Sequence, residues 1–308
     1  MSTRRTADLH GILAAVPTPF TPDAAAVDEE NLRAQADRLV AAGIHGIVAT
    51  GSTGEFATLT PGEYRRVVAA WVEAVDHRVP VVAGVGALST AEAVSLARHA
   101  EAVGADAIML LPPFYGAVPW DSLVAFLSAV TQSITIPAVY YNIPSATGTQ
   151  LTAGRIAQLG DIPGLDYLKD TSGDAVALAE LLVTHTDRIT AFNGWDTLTF
   201  FGIASGAEGT VWGAASVVPE LAVQLWETLA VKGDLAAARE QWKPLWAISD
   251  FLESVEYAAG IKAGLDLVGH SAGPTRAPVL PLPPAQLDRL REILVSAGQV
   301  PGQVAGRA

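Results

Sequence analysis

The chain has 308 residues, half of them hydrophobic and 17% charged, with 32 acidic against 19 basic residues and a formal net charge of −13. That length fits one large α/β domain or two ordinary ones, and it suffices for a sizeable core. The acidic balance speaks against nucleic acid, whose phosphates need clustered Lys and Arg, and no apolar run approaches the roughly 20 residues that span a bilayer.

The absence of Cys removes disulfides, thiolate nucleophiles and Cys-ligated metals together, and fits a reducing compartment. Arg4 and Arg5 precede only a short apolar stretch at 11–16, which Pro17 ends, whereas a signal peptide needs a longer apolar region and a small-residue cleavage site. The expected location is the cytoplasm. Only four residues are lysines, Lys169, Lys232, Lys243 and Lys262, so each has a raised chance of a specific task.

Along the chain, eight short apolar runs fall at 12–16, 46–49, 79–83, 107–111, 136–141, 165–169, 189–192 and 209–212. They are near-continuously hydrophobic, as strands covered on both faces of a parallel sheet are. Segments of helical period lie between most of them, for example at 91–103 and 120–130. Thr60-Pro61-Gly62-Glu63 spells a capping box with Pro at the first helical position, and Ser89 and Asp174 sit at or near two other helix starts. Strand and helix alternating in this way predict a (β/α)₈ barrel, the TIM barrel. A doubly wound sheet would more often carry G-x-G-x-x-G after its first strand, where this chain has Pro17-Thr18-Pro19-Phe20. Residues 1–222 are assigned to the barrel and 223–308 to a C-terminal helical extension, whose last amphipathic helix at 285–296 follows a Pro-rich break.

A barrel of this kind carries its site at the C-terminal ends of the strands. The second strand ends in Gly51-Ser52-Thr53-Gly54-Glu55, where hydroxyls and backbone N–H groups suit a small carboxylate. The plain alternative is a tight turn with positive φ at both glycines. The fifth strand ends in Tyr140-Tyr141-Asn142, so one tyrosine faces inward and can move a proton, or else simply packs. The sixth ends in Lys169-Asp170. A lysine buried there is either paired, with Asp170 or Glu55 as partner, or held neutral as a nucleophile able to form a Schiff base. The other three lysines fall in the helical tail and read as solvated. No His closes a strand and no P-loop occurs, which leaves a His-metal centre, a Ser-His-Asp triad and nucleotide hydrolysis poorly supplied. A hard-metal site from Glu55, Asp170 and Asp196 is a lesser option, because no two of them share a loop.

Taken together, Gly51-Ser52-Thr53-Gly54-Glu55, Tyr141-Asn142-Ile143-Pro144, Lys169-Asp170 and Gly194-Trp195-Asp196 resemble the dihydrodipicolinate synthase / N-acetylneuraminate lyase family of Schiff-base class I aldolases, over nearly the whole chain. The resemblance implies that Lys169 forms an imine with a 2-keto acid such as pyruvate and that Tyr141 relays protons. It places Ser52, Thr53 and Gly54 at the keto-acid carboxylate, with Thr53 also in the catalytic set, and Val211 at the pocket wall through its carbonyl. Tyr115 matches a tyrosine that completes the hydroxyl relay across a dimer interface. The family is typically a homotetramer and uses no metal or organic cofactor.

Two departures bear on the substrate. Dihydrodipicolinate synthases usually have an arginine where this chain has Ala146, so a bidentate anion clamp is missing. Ala146-Thr147-Gly148 and Phe56 are more similar to the 2-keto-3-deoxy sugar acid aldolases, which puts Thr147 among the substrate contacts. Tyr167 stands where many relatives have Gly, and facing inward it would narrow the barrel floor and add a hydroxyl below Lys169. The leading expectation is a pyruvate-dependent lyase acting on a 2-keto-3-deoxy sugar acid. Dihydrodipicolinate synthase, joining pyruvate to aspartate semialdehyde, is the alternative, followed by a keto-deoxy acid dehydratase and, from another class, a non-catalytic keto-acid sensor.

Overall fold

A strand covered on both faces can satisfy its backbone N–H and C=O groups only through neighbouring strands. In the computed structural model, which describes residues 7–301, the apolar runs form β1 (Gly11–Ala15), β2 (Gly46–Ala49), β3 (Val81–Gly86), β4 (Ala107–Leu111), β5 (Ala138–Asn142), β6 (Leu165–Asp170), β7 (Thr190–Asn193) and β8 (Gly209–Trp212). Each strand pairs in parallel with the next, and β8 returns to β1. The closed TIM barrel expected from the sequence is the fold. Strand ends differ from the apolar runs by a few residues; β3 starts two residues later because Pro80 has no N–H to give. Arg4 and Arg5 lie outside the described residues.

Strand alternation sorts side chains into two layers. Leu13, Val48, Val82, Met109, Val139, Tyr141, Phe192 and Val211 fill the barrel interior. Their neighbours Ile12, Ile47 and Trp212, and on the other side Ile108, Leu110, Tyr140 and Leu168, face the helices. Of the paired tyrosines, Tyr141 is therefore the inward one.

The helix starts follow their local chemistry. The Thr60 hydroxyl accepts from the Glu63 N–H at 3.2 Å, and the Glu63 carboxylate accepts from the Thr60 N–H at 2.9 Å. Ser89 caps Thr90–Val103 and Asp174 caps Ala175–Thr184. After β8 the chain is helical, and residue 222 lies inside the helix Pro219–Trp226. Leu245, Ile248 and Leu252 from Leu235–Glu253, Ile261 and Leu265 from Tyr257–Leu267, and Leu290 and Leu294 from Pro284–Ser296 join the apolar cluster of Ile12, Ile47 and Trp212. Each such side chain contributes roughly 1.5–3 kcal/mol relative to exposure, so the extension is bound to the barrel by shared core.

The tail also corrects one expectation. Lys232 and Lys243 are exposed, but Lys262 is only 3% exposed. It follows Ile261 on the barrel-facing side of its helix, and an ion pair with Glu55 at 2.7 Å offsets its desolvation. Among the described residues, no helix is long and apolar enough to cross a membrane.

Candidate active site

The sixth strand alternates so that Tyr167 and Lys169 point inward while Leu168 and Asp170 point outward. Strand pairing sets Lys169 beside Tyr141, and the Lys169 Nζ lies 4.2 Å from the centre of the Tyr141 ring. Lys169 is 6% exposed. Gly194 makes room for it, since a Cβ at that position would sit 2.6 Å from the lysine Cε.

Neither carboxylate expected to pair with Lys169 does so. Asp170 accepts hydrogen bonds from Asn142 at 2.7 Å and from the Ser172 hydroxyl at 3.0 Å on the outer side of the strand. Burial pushes its carboxyl above the usual range, against the pull of those bonds. Glu55 is taken by Lys262. Glu55, Asp170 and Asp196 are therefore not brought together, and among the described residues no group of three or more His, Asp or Glu side chains is placed to hold a metal ion.

Lys169 opens into a cavity of about 220 Å³ at the C-terminal ends of the strands. Ser52, Thr53, Tyr141 and Val211, all singled out in the sequence, line it with Lys169. The Gly51–Glu55 turn is built differently from the simple expectation: the positive φ angles fall on Thr50 (53°) and Glu55 (54°), and neither glycine has one. Holding a non-glycine residue there costs on the order of 1–3 kcal/mol. Gly54 is needed for space, because a Cβ would stand 3.0 Å from the Thr50 backbone. Its carbonyl accepts from the Thr18 hydroxyl at 2.6 Å, and it shapes the turn without lining the cavity.

Three other residues that the sequence singled out lie outside the cavity lining. Thr147 is buried and does not line the cavity; its hydroxyl donates to the Ile143 carbonyl at 3.1 Å and accepts from the Thr149 N–H at 3.3 Å. A hydroxyl spent on closing a one-turn helix is not free for a ligand. Tyr167 does face inward, packing edge-on against Phe192, but its hydroxyl donates to the Ala7 carbonyl at 2.5 Å, at the opposite end of the barrel from the cavity. Tyr115 is 95% exposed in the single chain, on the loop after β4.

The cavity lining also includes groups to which the sequence reading gave no role in the keto-acid site. Asp196, Glu253, Tyr257, Trp195 and Thr171 all line it. The Tyr257 hydroxyl donates to Asp196 Oδ2 at 2.5 Å, and Glu253 accepts from the Thr197 N–H and hydroxyl, each at 2.9 Å. Burial, with the Glu253 charge adding, pushes the Asp196 carboxyl up to about 7, opposed by Tyr257 and Lys169. Burial likewise raises Glu253. Asp196 was legible as a strand-end acid. Glu253 and Tyr257, at the end of one tail helix and the start of the next, gave no signal of facing the barrel mouth.

The chain as a whole has known relatives. Residues 8–297 match the model of the dihydrodipicolinate synthetase family. The chain belongs to that family. A 4-hydroxy-tetrahydrodipicolinate synthase of Methanopyrus kandleri is 35% identical over 95% of this chain and 98% of its own. An uncharacterised DapA-like lyase of Halobacterium salinarum is 38% identical over 88% of each chain. Among solved structures, YagE of E. coli K12, described as a prophage protein of the dihydrodipicolinic acid synthase family in complex with pyruvate, superposes with a TM-score of 0.90 at 28% identity, covering 95% of this chain and all of that one. As a member of the dihydrodipicolinate synthetase family, the chain is a lyase of the class I aldolase type.

Proposed function

We infer that Lys169 forms an imine with pyruvate and that the enzyme makes or breaks a carbon–carbon bond next to it. The observation that carries this reading is the buried Lys169 amine, set against Tyr141 and free of both carboxylates expected to neutralise it. The amine adds to the keto carbon and water leaves, with Tyr141 carrying protons between nitrogen and oxygen. Ser52 and Thr53 hold the keto-acid carboxylate. The protonated imine then draws the electron pair of the breaking bond into an enamine, or the enamine attacks an aldehyde in the opposite direction. The imine is itself the electron sink, so this chemistry calls on no organic cofactor and no metal.

Two aldehyde partners have support. The similar 4-hydroxy-tetrahydrodipicolinate synthases favour aspartate semialdehyde, and they weigh more for the synthase than for the sugar-acid lyase expected first. The cavity favours a hydroxylated aldehyde without a carboxylate and so a 2-keto-3-deoxy sugar acid: its lining includes Asp196 and Glu253 and, among the described residues, no arginine, and Ala146 stands where a guanidinium would clamp a second carboxylate. Tyr115, exposed in one chain, fits the relay position at an interface between copies, which supports a homotetramer built from dimers. The Cys-free composition supports a cytoplasmic enzyme.

Borohydride reduction with pyruvate, and separately with 2-keto-3-deoxygluconate, followed by intact mass and peptide mapping tests the reading. A pyruvate-sized adduct on Lys169 from both identifies a sugar-acid lyase. An adduct from pyruvate alone, with product formed on adding aspartate semialdehyde, identifies the synthase. A larger adduct without pyruvate release points to a dehydratase, and no adduct from either defeats the Schiff-base reading.

A further inference from the structure

The turn that presents Ser52 and Thr53 to the cavity is held from the far end of the sequence. Both Glu55 carboxylate oxygens are engaged there: Oε1 pairs with Lys262 Nζ at 2.7 Å, and Oε2 accepts from the Arg276 N–H at 2.9 Å. Lys262 Nζ also donates to the Pro274 carbonyl at 2.7 Å. The Arg276 guanidinium donates to the carbonyls of Ala24 and Thr58, at 3.1 and 3.3 Å, and pairs with Glu63 at 3.0 Å. The Phe20 ring lies 4.2 Å from Lys262 Nζ and 4.1 Å from the Arg276 guanidinium carbon. Both Glu55 and Lys262 side chains are almost wholly buried, at 1% and 3%.

The network meets the turn at its strained point. Glu55 is one of the two non-glycine residues of the turn with positive φ, and its N–H donates to the Ser52 carbonyl at 3.0 Å. A side chain clamped on both oxygens fixes that backbone, and through it the direction of Ser52 and Thr53. Bulk stability alone would not call for charges here, because an apolar pair of similar volume often serves as well as a buried ion pair. Directional, charge-assisted bonds do what apolar packing cannot, which is to fix one orientation.

We propose that Lys262 and Arg276, by clamping Glu55, are positioning residues that orient the Ser52 and Thr53 hydroxyls to receive the 2-keto acid carboxylate. This rests on the reading that Lys169 forms an imine with pyruvate. The C-terminal extension then does more than cover the barrel: it sets the affinity of the barrel for its keto acid.

The test is the pyruvate concentration that gives half-maximal borohydride trapping on Lys169, which needs no aldehyde. The double variant Glu55→Gln/Lys262→Met removes both charges and leaves neither buried alone. It is expected to raise half-saturation tenfold or more, with an unchanged circular dichroism spectrum and the same maximal adduct. Glu55→Gln alone keeps the shape but sets an amide N–H against either the Arg276 N–H or the Lys262 ammonium, and Lys262→Met alone removes one of the two clamps; each single variant that folds is expected to raise half-saturation severalfold. A folded variant whose melting temperature falls while half-saturation stays at the wild-type value overturns the proposal. A wild-type chain that traps no pyruvate defeats the imine reading instead, whatever the variants do.

Discussion

Lys169 Nζ lies 4.2 Å from the centre of the Tyr141 ring, because parallel pairing of β5 with β6 sets the two residues side by side on the inner face of the barrel. The ring face attracts the amine when it is charged and packs against it when it is neutral, so one pose serves both states. Lys169→Ala is expected to abolish pyruvate trapping and to reduce turnover to the detection limit. Removing a largely desolvated amine takes nothing essential from the fold. The melting temperature should stay within a few degrees of wild type, and trapping that survives on another lysine would sink the assignment.

Tyr141→Phe separates the ring from its hydroxyl. The ring contact with Lys169 remains and the proton carrier is lost. Turnover should fall by about 10²–10⁴, the usual worth of a general acid–base group, while half-saturating pyruvate in the trapping assay changes little. Equal losses in both would assign Tyr141 to binding and leave the relay without a carrier.

The barrel was legible because its signal is local: eight apolar runs, each closed by turn residues, with capped helices between them. Lys169 and Tyr141 were legible because they close strands, where alternation turns one of two adjacent tyrosines inward, and the family resemblance named Tyr141 as that one. What sequence could not reveal depends on residues distant in the chain. Lys262 reads as a solvated helical lysine until the fold brings it against Glu55, more than 200 positions away. Glu253 and Tyr257 are ordinary helix residues until their helices cross the barrel mouth. The positive φ angles sit on Thr50 and Glu55, which no residue-type rule would choose over the adjacent glycines.

Thr147 illustrates the converse, a residue that fits a substrate contact by sequence and is committed elsewhere. Thr147→Val should leave turnover and pyruvate trapping near wild type. It should cost roughly 1–2 kcal/mol of stability, since a buried hydroxyl that satisfies the Ile143 carbonyl and the Thr149 N–H is lost. Chemical denaturation measures the loss, and a selective fall in turnover would return Thr147 to the site.

Asp196 should make stability and rate depend on pH near neutrality. Its carboxyl is pushed up to about 7 by burial, from an ordinary value of 3.8. The folded state thus favours the protonated form: the resulting stabilisation is complete below about pH 4 and is lost as pH rises through about 7. Asp196→Asn keeps the neutral shape and the contact with Tyr257 but does not ionise, so its melting temperature relative to wild type should climb between pH 4 and pH 7 and then level off. Its rate profile should lose any limb near neutrality. Parallel melting curves for the two proteins across that range would show that Asp196 does not titrate there.

A substitution at Ala146 should tell the two aldehydes apart. The short helix Pro144–Thr147 sits at the barrel mouth, with Ser145 on the cavity and Ala146 exposed beside it. A sugar-derived aldehyde brings hydroxyls, which Asp196, Glu253 and Thr171 can accept from or donate to. Aspartate semialdehyde brings an ammonium, which the acidic wall can take, and a second carboxylate, which needs a cation of its own. Ala146→Arg supplies one, and hydrogen bonds to a charged group are worth about 1.5–3 kcal/mol. The ratio of kcat/KM for aspartate semialdehyde to that for glyceraldehyde, each with pyruvate, should therefore rise by about 10-fold or more. A ratio that does not move, on a wild-type enzyme already fast with the semialdehyde, would mean that the second carboxylate is read from another part of the cavity and would favour the synthase.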